Sequence, residues 1–155
     1  MVSALGYGEA GNGGETFRLN DASTGNDILE GQAVALVLTG VGIAPNTGGK
    51  HPLCTRAGAA DLKTIGVATE GMTKGPAAAT GEGSFGKVIT SGFCFVRAAA
   101  AIAAGQKIGP DASGDWTDGV AASGEFGVSL EASAAAGDLI AAYIFDRAAT
   151  GFGGA

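Results

Sequence analysis

A short glycine-marked phrase recurs along this chain and limits what it can fold into. Ile65, Gly66, Val67 and Ala68, with Glu70 two residues on, return as Phe126, Gly127, Val128 and Ser129 with Glu131. Gly105, Gln106, Lys107 and Ile108 are answered by Gly137, Asp138, Leu139 and Ile140. Each copy sets a turn or strand glycine against β-branched and aliphatic residues, the signature of a compact all-β domain with tight corners. None of these residues is chemically reactive, so the phrase describes a scaffold that works through its surface.

The chain has 155 residues, enough for one domain that buries roughly 70% of its unfolded surface. Its 31 alanines and 29 glycines make up 60 of the 155 positions, so side-chain layers are thin and the ordering entropy is high. Association with neighbouring subunits, in closed rings for instance, would make up the deficit.

Formal net charge is −6, and the nine basic residues are scattered singly, which argues against a nucleic-acid binder. No stretch approaches the roughly 20 apolar residues of a membrane span, and Met1 to Ala10 lacks the features of a secretion signal. Synthesis in the cytoplasm is the expectation, with the protein kept there or assembled there into something larger. Cys54 and Cys94 are expected to be two buried thiols in a reducing compartment.

Residues 1–26 read as a glycine-rich arm with one plausible strand pair, Phe17 and Leu19, followed by a β domain over 27–147 and a tail over 148–155. Strands are expected at Ala33 to Leu38, Leu53 to Arg56, Ile65 to Thr69, Gln106 to Ile108, Glu125 to Leu130 and Leu139 to Phe145. The longest apolar stretch, Ser84 to Arg97, is broken at Ser91 and Gly92 by a hairpin or a sharp bend. Residues 42–52 read as a loop, and Met72 to Gly83 as a surface connection. Ala98 to Ala104 is helical by propensity but short enough to be only a turn.

Several groupings invite a chemical reading. Gly81 to Lys87 matches the glycine-rich loop that kinases fold over phosphates, but the companion motifs are missing, and a corner entering a strand explains it better. Asp111, Ser113, Asp115 and Asp118, echoed by Asp21, Ser23, Asn26 and Asp27, lack a calcium loop's ligand alternation and read as β-turns. His51 stands alone in a loop, and no catalytic set, metal site or cofactor motif declares itself. Phe93 and Phe95, and Tyr143 and Phe145, lie two apart and share a strand face, which core packing would explain. Trp116 is either core or a ring-stacking sugar platform. Tyr7, Phe17 and Phe152, apolar residues on glycine-rich termini, are the candidate partner-binding anchors.

The series Gly58, Ala59, Ile65 to Ala68, Gly86 to Val96, Ile102 to Ile108, the Gly114 turn, Phe126 to Ser129 and Ala136 to Ile140 resembles the capsid cement, or head decoration, proteins of tailed bacteriophages. The likeness spans residues 27–145. It implies a small β-barrel or tulip-like β domain with at most one short helix, usually a homotrimer. It also implies a seat on the outer surface of the virion, where the domain binds the major capsid protein and stabilises the expanded head. A carbohydrate-binding or adhesive β module on the virion surface is the alternative. Either would be non-enzymatic.

Overall fold

The computed structural model describes residues 15–20, 27–39, 42–43, 52–59, 61–73, 82–121 and 124–145. Among them there are twelve strands: β1 (Glu15–Asn20), β2 (Ala33–Leu36), β3 (Leu38–Thr39), β4 (Gly42–Ile43), β5 (Leu53–Arg56), β6 (Thr64–Ala68), β7 (Glu82–Ile89), β8 (Gly92–Arg97), β9 (Lys107–Pro110), β10 (Trp116–Thr117), β11 (Gly127–Ser129) and β12 (Leu139–Ile144). No α-helix occurs among these residues, and Ala98 to Ala104 runs as turn and bridge. The all-β expectation therefore holds.

The strands form a closed barrel, β1-β5-β2-β6-β7, and a curled five-stranded sheet, β10-β9-β11-β12-β8. These are two versions of one unit. Reading the barrel from β5 gives β5-β2-β6-β7-β1, and the sheet repeats that order strand for strand with β10-β9-β11-β12-β8. The barrel closes by a parallel β1–β5 contact in which Leu19 faces Cys54. In the second unit one parallel bridge, Ala98 to Trp116, stands in the same place. All other pairings are antiparallel in both.

Hydrogen bonds repeat as well. Gly31 N–H donates to Ala68 O at 2.9 Å as Gly105 N–H does to Ser129 O at 2.8 Å. Ala68 N–H donates to Gln32 O as Ser129 N–H does to Gln106 O, both at 2.9 Å. Ile28 bridges Met72 as Ile102 bridges Ser133. The true partner of Gly105 to Ile108 is thus Gly31 to Val34, and not Gly137 to Ile140 as the sequence suggested. Gly31, Gly105 and Gly137 all have positive φ, so the three look alike as turn glycines.

Alternation assigns the side chains. Val34 and Leu36 point into the first barrel with Phe17, Leu19, Cys54, Ile65, Met72 and Val88. Ala33, Ala35, Val67 and Ile89 point outward, where they join the interior of the second unit around Cys94, Val96, Ile108, Trp116, Phe126 and Ile144. In β6 the register skips Ile65, which puts Ile65 inside and Val67 outside, as a β-bulge does. The small outward side chains of β2 let the second unit seat closely, and buried Gln32 fastens it. Its Nε2 donates to Ser113 O at 3.1 Å and Asp115 Oδ1 at 2.8 Å, while Ala33 N–H donates to Gly114 O at 2.8 Å.

Two local expectations need correction, and of the two alternatives at Ser91 and Gly92 the bend is the one that occurs. Residues 42–52 are not all loop, because β4 pairs with β3. Met72 does not lie on a surface connection but is fully buried and bridged to Ile28. The break at Ser91 and Gly92 is a bend without hairpin pairing: β7 pairs within the barrel and β8 within the second sheet, so it hands the chain from one unit to the next.

Candidate binding face

β8 and β12 turn their even-numbered residues, Cys94, Val96, Ile140, Ala142 and Ile144, into the core. Their odd-numbered residues therefore face outward. Phe93 is 50% exposed, Phe95 46%, Leu139 42% and Tyr143 38%. Tyr143 lies opposite Phe93, Ala141 opposite Phe95 and Leu139 opposite Arg97. The Phe93 and Tyr143 rings meet edge to face at 5.0 Å, and Val128 of β11 flanks Tyr143. Leu130, just beyond β11, adds a further exposed apolar side chain. The expectation that Phe93, Phe95 and Tyr143 are core residues is overturned: two-residue spacing places them on one face, but that face is the outer one.

Four of the charges around this face, those of Arg97, Lys107, Glu125 and Glu131, are engaged within the chain. Arg97 Nε lies 3.7 Å from Asp115 Oδ1, and Lys107 Nζ lies 3.0 Å from Glu125 Oε2. Glu131 Oε2 accepts the Ala141 N–H at 2.9 Å. At one margin Phe95 walls a cavity of about 260 Å³ with Glu30, Val67, Ala68, Thr69 and Ile89.

The first barrel supplies an internal control. Thr16 pairs with Lys87 and Arg18 with Phe85, where the second unit has Phe95 with Ala141 and Arg97 with Leu139. The Arg18 guanidinium covers the Phe85 ring at 5.0 Å. Both outer faces thus carry an arginine beside an apolar residue, and they differ at the next pair, polar Thr16 with Lys87 in one unit and apolar Phe95 with Ala141 in the other. At the position of Phe95 the fold therefore does not require a ring.

The other candidates fall elsewhere. Phe17 is inside the first barrel, 6% exposed, and its side chain is core. Tyr7, His51, Phe152 and the Asp21 to Asn26 stretch lie outside the described residues. Trp116 is fully buried, which removes it as a sugar platform. Gly83 and Gly86 are buried strand residues, and a Cβ on Gly86 would strike Met72, so these two serve packing, while Gly81 lies outside the described residues. Asp111 Oδ1 accepts the N–H groups of Ser113 at 2.7 Å and Asp115 at 3.0 Å, the bonding of an Asx turn. Among the described residues no three His, Cys, Asp or Glu are grouped to hold a metal ion. Cys54 and Cys94 are free and buried in separate clusters, and burial pushes both thiols up to about 12.

No family model and no curated protein matches the chain. Among solved structures it is similar to the head fiber gp8.5 N base of bacteriophage phi29. That match has a TM-score of 0.58 and covers 84% of this chain and 92% of that one, at 15% identity. At this identity the likeness is one of fold: the chain, a closed β-barrel beside a curled half-barrel, shares its overall fold with that fiber base.

Proposed function

We propose that the chain is a non-enzymatic structural protein of a bacteriophage virion, a β module carried on the outer surface of the head and acting by adhesion. The observation that carries this reading is the all-β fold, a barrel beside a half-barrel, held in common with a head-fiber base over most of both chains. The described surface is consistent with it, since it offers apolar contact area beside two ion pairs made within the chain, Arg97 with Asp115 and Lys107 with Glu125. A glycan-binding version would need exposed rings, and Phe93, Phe95 and Tyr143 are the ones available.

A second reading, binding to the major capsid protein as a lattice cement, is favoured by the likeness of residues 27–145 to cement proteins. Each bound site would then add its binding free energy to the shell. In either case Tyr7 and Phe152 are proposed as head contacts, and synthesis precedes assembly in the host cytoplasm.

Purified protein mixed with expanded heads that lack it separates the readings. An adhesive module cosediments and leaves the rupture temperature unchanged, whereas a cement cosediments and raises it. Failure to cosediment contradicts both.

A further inference from the structure

We infer that the apolar outer face of β8, β11 and β12 is the contact between copies of this chain. The first argument comes from the twin barrel. Val67 and Ile89 are buried against the second unit, whereas at the same register positions in that unit Val128 is half-buried and Tyr143 is 38% exposed. A neighbouring copy seated on Val128 and Tyr143 gives these positions between chains the cover that Val67 and Ile89 find within one, by surface contact and not by entering a sheet interior. A closed ring of such head-to-tail contacts leaves none of these patches uncovered.

Size and charge agree. At about 200 Å² per aromatic ring, three half-exposed rings and two leucines present roughly 450 Å² of apolar surface, the central part of an interface of about 800 Å² per partner. Arg97, Lys107, Glu125 and Glu131 are engaged within the chain, so an occupant need not bring a complementary charge. A second copy, with the same neutralised rim, meets that condition. The face is also continuous with the existing contact between barrels, because Phe95 closes a cavity whose other walls include Val67 and Ile89. The inference rests on the barrel faces and does not need the virion reading.

The test restores in the second unit the residues that the first carries at the same positions, Phe95→Thr and Ala141→Lys together. Thr16 and Lys87 show that this backbone tolerates both. Light scattering and sedimentation velocity across the micromolar range should find the unchanged chain above its 14.9 kDa monomer mass. The double variant should associate about thirtyfold or more weakly, as when a central aromatic anchor is lost. Phe93→Ser should act in the same direction, and Phe85→Ser on the first barrel should leave association unchanged. Emission from buried Trp116 reports folding in each case. A chain that is monomeric at every concentration overturns the inference, as does an assembly indifferent to both face variants. If both variants lose the buried Trp116 signal, the rings hold the fold and not a neighbour, and the inference is equally overturned.

Discussion

Trp116 occupies in the second barrel the place that Cys54 occupies in the first. Cys54 pairs with Leu19 across the parallel closure and with Leu36 on its other side, and Trp116 pairs with Ala98 and Pro110 in the same two directions. The neighbours compensate for the change in volume. Around Cys54 the interior carries Leu19, Met72 and Val88, and around Trp116 the corresponding residues are Ala98, Ser133 and Ala142. One cavity is filled in two ways, as close packing demands.

Trp116→Cys copies the twin without its compensating neighbours and should cost about 3–5 kcal/mol in urea unfolding. Trp116→Phe should cost much less, about 1 kcal/mol. Among the described residues Nε1 has no hydrogen-bond partner, and removing a buried unpaired donor offsets part of the lost volume.

Gly66 and Gly127 share a position in the two units, and a Cβ on either strikes a neighbouring backbone. On Gly66 it meets Ile89 O, and on Gly127 it lies 2.7 Å from Tyr143 O. Gly105 has open space but a φ of +83°. Gly105→Ala should therefore cost about 1 kcal/mol from backbone strain alone. Gly66→Ala should cost several times more, because a strand must move, and thermal denaturation of the two variants checks the order.

These glycines also mark how far the sequence could be read. Alternation and turn residues located β5, β6, β11 and β12 to within a residue or two, because local chemistry alone sets those positions. The duplication was half visible in Ile65 to Ala68 and Phe126 to Ser129. It was misaligned at Gly105 because Gly31 lies in a turn whose role appears only when Ala68 pairs with it. The binding face was hidden for a different reason. Phe93, Cys94, Phe95 and Val96 are apolar on both sides of β8, so alternation shows that the two rings share a face without saying which face is buried. Alignment on the twin would have helped, since Thr16 and Lys87 mark that side as outward.

The thiols give the chain a pH dependence of definite sign. Burial raises Cys54 and Cys94 from 9.0 to about 12, so the folded state favours the protonated form of each. Their contribution is fully present below pH 9 and is lost as pH rises toward 12. Urea midpoints should fall across that window, and less steeply in a Cys54→Ala, Cys94→Ala variant. At pH 8 a thiol reagent should label the folded chain only as fast as it opens.

Glu70 and Glu131 perform one task in the two barrels. Glu70 Oε1 accepts the Lys87 N–H at 3.3 Å, and Glu131 Oε2 accepts the Ala141 N–H at 2.9 Å. The shorter bond borders the apolar face. Glu131→Ala should cost about 1 kcal/mol, and Glu70→Ala less than that, as read from paired melting curves.

The claim that matters most is the division of labour between twin faces, solvated on β1 and β7 and occupied on β8 and β12. Hydrogen exchange compared between dilute and concentrated protein tests it directly. Slowing on concentration is predicted at Gly92–Arg97 and Leu139–Ile144, with Glu15–Asn20 and Glu82–Ile89 unaffected. Exchange that ignores concentration, or slows equally in both barrels, would contradict the account.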